Sequence, residues 1–195
     1  MMINYIELIR TDLVQAKILK EHDQLSYYKF IYLFIRSRTC KIHTFIRLRS
    51  ANSFVAFVAK IWLDRFLIEI GHKTQIGKYF WIPHPRCIII ADNVVIGEHV
   101  HVGQHVTIGG NFKKTKLLED GKIQKLPILG NQINILPGAV IGGPVTLNND
   151  IIIGANAVVT RDVPNNTIVF GQNQFANKKI TIPKEGGSFN LIIEK

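Results

Sequence analysis

The chain has 195 residues, 47% hydrophobic and 19% charged, which is enough apolar material for a buried core and too little charge for a disordered polymer. Its 24 Lys and Arg against 14 Asp and Glu give a formal charge of +10, and such a balance favours anionic partners: a phosphorylated cofactor, nucleic acid or a membrane surface. Two cysteines, Cys40 and Cys87, make neither a disulfide framework nor a zinc pattern, and no uncharged apolar run reaches the roughly 18 residues that span a bilayer.

Residues 1–67 read as a helical region. Ile6, Leu8, Ile9 and Leu13, with Ile18 and Leu19 beyond, suit one amphipathic helix, and Glu7, Arg10 and Asp12 interrupt any signal-peptide pattern. Residues 27–35 are aromatic and aliphatic and are expected to be largely buried. Over residues 53–70, Val55, Val58, Ala59, Trp62, Phe66 and Leu67 recur near a 3.6-residue period. Basic residues outnumber acidic ones in this region. Phe30, Tyr32, Phe34 and Ile35 beside Arg36, Arg38 and Lys41 form a stripe that either packs on a neighbouring helix or touches anionic lipid. The expected location is the cytoplasm, where free thiols persist, or the inner face of its membrane.

From Ile70 the period changes to six. Ile70, Ile76 and Ile82 form one aliphatic series, and Ile90, Ile96, Val102 and Ile108 form a second, followed by small residues at Ala91, Gly97, Gly103 and Gly109. The step from 82 to 90 is eight, and His84 lies inside that two-residue insertion. A loop over residues 111–127 then interrupts the repeat with Lys113, Lys114, Lys116, Lys122 and Lys125. The period resumes at Leu129, Ile135, Ile141, Leu147, Ile153 and Val159, with a second column at Ile133, Ala139, Val145, Ile151 and Ala157. This pattern predicts a mainly β fold over residues 68–170: a β-helix in which three hexapeptides close a triangular coil and each coil covers the next. Residues 111–127 are expected to project as an extruded loop. Arg161, Asp162, Val163, Pro164, Asn165 and Asn166 end the repeat with turn chemistry. Residues 171–195 form a tail broken at Gly186 and Gly187, its last residues either a strand or flexible.

Residues 69–175 resemble the serine acetyltransferase-like branch of the hexapeptide acyltransferases, which includes serine O-acetyltransferases and the O-acetyltransferases of capsule and O-antigen sugars. In that branch the catalytic histidine precedes a V-T-L-G-G segment at a set distance. His84 stands at the same distance from Val106, Thr107, Ile108, Gly109 and Gly110, counted to the second glycine. Ile153, Gly154, Ala155, Asn156, Ala157, Val158 and Val159, with Asp162, Val163 and Pro164, match its closing motif. The resemblance implies a left-handed parallel β-helix, a homotrimer with active sites between subunits, and acetyl-CoA as donor without a metal. It implies that His84 is the catalytic histidine. Glu69 falls where the family's histidine is partnered by Asp. Acyl transfer to a hydroxyl needs a base such as His84 and an acceptor such as Glu69 to orient its imidazole. Backbone N–H groups near Gly109 and Gly110 are expected to hold the developing oxyanion. Gly138, Gly154 and Ala155 offer a groove for pantetheine, and Arg161, Lys178 and Lys179 offer cations for the CoA phosphates.

Pro83 stands where the serine enzymes have Asp, and Leu126 where they have a histidine linked to serine recognition. The helical region is also shorter. These departures favour a sugar hydroxyl of a surface polysaccharide or its precursor as acceptor. Serine O-acetylation is the alternative, and a non-catalytic trimeric scaffold or polyanion-binding module is the alternative of another class. The expected partners are CoA, a carbohydrate and further copies of the chain, not nucleic acid. His99, His101 and His105 form an H-x-H-x3-H cluster that invites a metal, but they occupy outward repeat positions and are read as exposed or groove-lining.

Overall fold

Aliphatic residues at six-residue spacing, separated by turn formers, leave room only for very short strands, and those of the solenoid faces run from Gln75–Ile76 at the shortest to Thr167–Phe170 at the longest. A computed structural model of the chain describes residues 5–51, 53–112, 114–118, 120–171, 174–177, 179–180 and 191–192. Three parallel sheets form the faces of a β-helix of about five coils. The first face stacks Ile68–Ile70, Ile88–Ile90, Thr107–Gly109, Val140–Gly142 and Val158–Val159. The second stacks Gln75–Ile76, Val95–Ile96, Ile128–Leu129 and Thr146–Leu147. The third stacks His101–Val102, Ile133–Ile135, Ile151–Ile153 and Thr167–Phe170; Trp81 bridges to His101 and Gln174–Asn177 adds antiparallel at the other end.

The register measures each coil. Ile70 faces Ile90, whereas Ile90 faces Ile108. The first coil is therefore longer than the second, and the excess is the two-residue insertion around His84. Ile96 faces Leu129, so the extruded loop is accommodated within one coil. That loop carries a hairpin of Lys116–Leu117 and Ile123–Gln124. Both aliphatic columns are buried in one continuous core running from Ile68 through Val169. The tail pairs Lys179–Ile180 with Leu191–Ile192 antiparallel.

The corners need left-handed backbone. Asn93, His99, His105, Gln132, Asp150 and Asn156 all have φ between 56° and 62°, a region that Asn and Asp tolerate best. A ladder of side chains supports one corner: the Oδ1 atoms of Asn131, Asn149 and Asn165 accept from the backbone N–H of Glu98, Asn131 and Asn149, each at 2.8 Å.

Helices α1 (Tyr5–Gln15), α2 (Tyr27–Arg36), α3 (Arg38–Leu48) and α4 (Ser53–Asp64) precede the first coil. Ser37 ends α2 and caps α3, its hydroxyl accepting from the Cys40 N–H. A buried ionic network ties the helices to the coils. Asp12 accepts from Arg47 Nε at 2.7 Å and Nη2 at 2.5 Å, and from the Phe80 N–H at 3.0 Å. Arg47 also donates to the carbonyls of Ile76 and Gly77. Arg49, whose pKa burial pushes down to about 10, donates to the carbonyls of Gly71, Thr74 and Ile46. Two arginines therefore satisfy carbonyls at the open end of the solenoid that no preceding coil covers.

Candidate active site

His84 is exposed at the corner leading into Ile88–Ile90, where the inserted residues lift the chain out of the stacked columns. Two cavities flank it. The larger, about 390 Å³, is lined by Arg38, Thr39, Pro83, Pro85, Arg86, Gln104 and His105 together with His84. Its walls include two arginines and two histidines and, among the described residues, no Asp or Glu, which suits an anionic group; the Arg38 guanidinium also lies 4.6 Å from the centre of the Phe66 ring. The smaller, about 190 Å³, is mostly apolar and runs between His84, His101, Asn134 and Leu136.

Gln104 lines both cavities, a position the sequence reading passed over. The Trp81–His101 bridge and the bond from the His105 N–H to the Arg86 carbonyl place it one coil above His84. Its Oε1 is buried without a hydrogen-bond partner among the described residues. Only the lengthened first coil brings positions 84 and 104 together, so no local motif signals the pair.

Glu69 takes a different place. It is exposed on the first face, opposite Ile89, and lines a separate cavity of about 480 Å³ between α4 and the first coil, with Arg49, Lys60, Asp64, His72 and Asp92 among its walls. Among the described residues no hydrogen bond or ion pair joins it to His84. The expected pairing assumed a coil close to three regular hexapeptides. In the longer coil formed here, the position stacked on Glu69 is Ile89, well past His84 in the chain.

Gly109 closes the strand Thr107–Gly109 in the middle of the first face and Gly110 follows it, and neither lines the two His84 cavities. A Cβ on Gly110 would meet the Leu126 side chain at 3.4 Å, so the leucine that replaces the expected histidine packs against the expected oxyanion site. Gly138 has φ +75°, and a Cβ there would collide with the Asn156 side chain; turn geometry accounts for this glycine. Gly154 stacks under Val169, whose carbonyl oxygen lies 3.0 Å from its would-be Cβ. Ala155 and Arg161 are exposed in the last coils. Lys179 belongs to the Lys179–Ile180 strand, and Lys178 lies outside the described residues.

The three clustered histidines diverge. His99 stacks on Tyr79 with ring centroids 4.3 Å apart. His101 meets the Trp81 ring edge-on, and its Nε2 lies 2.5 Å from Gln15 Nε2 of α1. Burial pushes its pKa down to about 4; the neighbouring His99 adds to this and a hydrogen bond with Asn134 opposes it. His105 joins His84 at the larger cavity. Among the described residues no three His, Cys, Asp or Glu gather as metal ligands.

Three stacked faces and aliphatic columns at six-residue spacing define a left-handed parallel β-helix of hexapeptide repeats. By sequence and fold the chain is serine acetyltransferase-like. It is 35% identical over 127 residues to a serine acetyltransferase of Staphylococcus aureus, covering 64% of this chain and 56% of that protein. A serine acetyltransferase of Helicobacter pylori is 34% identical over 125 residues, covering 63% of this chain and 66% of its own length. The chain thus spans little more than half of the staphylococcal relative. The crystal structure of serine acetyltransferase isoform 3 from Entamoeba histolytica, in complex with cysteine, superposes with a TM-score of 0.63 at 24% identity, over 92% of this chain and 61% of that one. The serine acetyltransferase of Neisseria gonorrhoeae gives a TM-score of 0.65 at 19% identity, over 86% and 62%. No family model matches the sequence.

Proposed function

We propose that the protein is an acetyl-CoA-dependent O-acetyltransferase with the hydroxyl of L-serine as acceptor and His84 as general base. The observation that carries this reading is the cavity beside His84, which Arg38 and Arg86 line and which, among the described residues, no acidic side chain lines; this supports a carboxylate-bearing acceptor. The serine acetyltransferases among its relatives support the same acceptor over the polysaccharide hydroxyl that the motif departures favour.

The chemistry is direct transfer. His84 takes the proton of the acceptor hydroxyl as its oxygen attacks the thioester carbonyl carbon. The C–O bond forms, the tetrahedral centre collapses, the C–S bond breaks, and the leaving thiolate recovers the proton from the imidazolium. The orphaned Gln104 Oε1 accepts from the ammonium or hydroxyl of the acceptor, since an unmet buried acceptor costs about 1–3 kcal/mol. Gly109 and Gly110 line neither His84 cavity within one chain, so in this reading a second copy brings the oxyanion donors to the site, as in the homotrimer the resemblance implies.

The test is CoA-thiol release with acetyl-CoA and L-serine. Saturable turnover that is lost in His84→Ala supports the reading, and no serine-dependent release overturns the acceptor. The second reading, a sugar hydroxyl, rests on Pro83 and on Leu126 packed at Gly110. It predicts thiol release with a carbohydrate acceptor and none with serine.

A further inference from the structure

We propose that the outer face of α2 docks on an anionic lipid bilayer. Tyr27, Tyr28, Ile31, Tyr32 and Ile35 recur at helical spacing and form one stripe. All five are exposed, Tyr28 by 84% and Ile35 by 64%. The opposite side of the helix is already satisfied: Phe30, Leu33 and Phe34 pack on a cluster of Ile9, Leu13, Leu19, Leu25 and Cys40. The outer stripe is therefore surplus to the fold, and α4 carries a second one at Phe54, Phe57, Val58 and Ile61. Contiguous apolar surface of this kind on a helix marks an interaction face.

Charge selects the occupant. From position 24 to position 63 the chain contains no Asp or Glu, while Lys29, Arg36, Arg38, Lys41, Arg47, Arg49 and Lys60 fall within that span. Arg47 and Arg49 are turned inward onto backbone carbonyls, and Lys29 and Lys60 pair with Asp23 and Asp64. Arg38 lies over the Phe66 ring and lines the His84 cavity, which leaves Arg36 and Lys41 around the C-terminal end of α2 with no carboxylate partner among the described residues. Arg36 lies 5.9 Å from the centre of the Tyr32 ring, within the stripe itself. A two-fold contact with a second copy would set these cations against one another with no acid to pair them. An anionic bilayer meets both demands: its head groups take Arg36 and Lys41, and the interface takes tyrosine rings and aliphatic side chains.

The experiment is co-sedimentation of the full chain with vesicles of phosphatidylcholine alone and of phosphatidylcholine mixed with phosphatidylglycerol. Retention on the anionic vesicles, weaker on the neutral ones and falling with salt, is expected. The triple variant Tyr28→Ser, Tyr32→Ser, Ile35→Ser and the single variant Arg36→Glu change exposed positions only. Each is expected to keep the wild-type unfolding midpoint and to lower partitioning at least about tenfold. The proposal fails if the wild type stays in solution with anionic vesicles, or if the triple variant binds as the wild type does. It fails equally if the triple variant lowers the particle mass in light scattering, since a second copy then covers the stripe. No step reads acetyl transfer, so failure here leaves the catalytic reading untouched.

Discussion

His84 and Gln104 sit one coil apart at a corner that exists because an insertion lengthens the first turn of the solenoid. If His84 is the base, His84→Ala lowers kcat by about 10²–10⁴-fold while the unfolding midpoint in urea stays within error, because the side chain is exposed. Gln104→Leu keeps the shape but removes the acceptor oxygen. It is expected to raise the KM for serine by about tenfold or more with a smaller effect on kcat, read from steady-state thiol release. Glycine positions divide by geometry. Gly138→Ala forces a left-handed φ and a collision with Asn156, and is expected to cost about 1–3 kcal/mol in urea unfolding. Gly142→Ala meets nothing within 4 Å and is expected to be close to neutral in the same measurement. At this scale His84 is legible from the phase break in the sequence. Gln104 is not, because its role arises from the stacking of one coil on the next.

At the scale of elements, the helices hold the first coil through buried polar contacts. Asp12→Ala leaves the Arg47 guanidinium buried without its carboxylate, and is expected to destabilise the protein by about 3–5 kcal/mol in urea unfolding. A second contact, between α1 and the solenoid, depends on pH. The close contact from Gln15 needs an unprotonated His101 Nε2, and the folded pKa of His101 is depressed to about 4 from the ordinary value of 6.5. Between those values the unfolded chain binds the proton more readily than the folded one. This contribution is therefore fully present above the ordinary value and is lost as the pH falls toward the folded one, amounting to about 3 kcal/mol at most. Urea midpoints measured from neutral pH down to about pH 4.5 are expected to fall, and His101→Gln is expected to flatten that fall. Apolar patterning in the sequence points to α1 and α4, but it does not mark α3, and α1 ends at Gln15, short of Ile18 and Leu19. Residues 27–35, expected to be largely buried, are not: Phe30, Leu33 and Phe34 pack inward and are partly buried, while the tyrosines, Ile31 and Ile35 stay outside. A stripe of apolar residues does not say which side its neighbours will cover.

For the whole molecule, the solenoid presents its candidate catalytic corner next to the start of α3, where Arg38 and Thr39 line the His84 cavity. Gly109 and Gly110, the glycines expected to hold the oxyanion, stand at the end of a strand of the first face and line neither His84 cavity. The repeat, the inserted loop and the break at His84 were all determined by the sequence itself. A six-residue aliphatic period has one low-energy solution, in which each coil buries its columns and pairs its strands with the next. Which corner stacks on which was decided only in three dimensions. The lengthened first coil stacks Ile89 on Glu69, sets Gln104 above His84, and lets Arg38 and Arg86 line one cavity from segments far apart in the chain. Register is a property of the whole stack, and a short insertion shifts every contact at that corner while leaving the hydrophobic period unchanged.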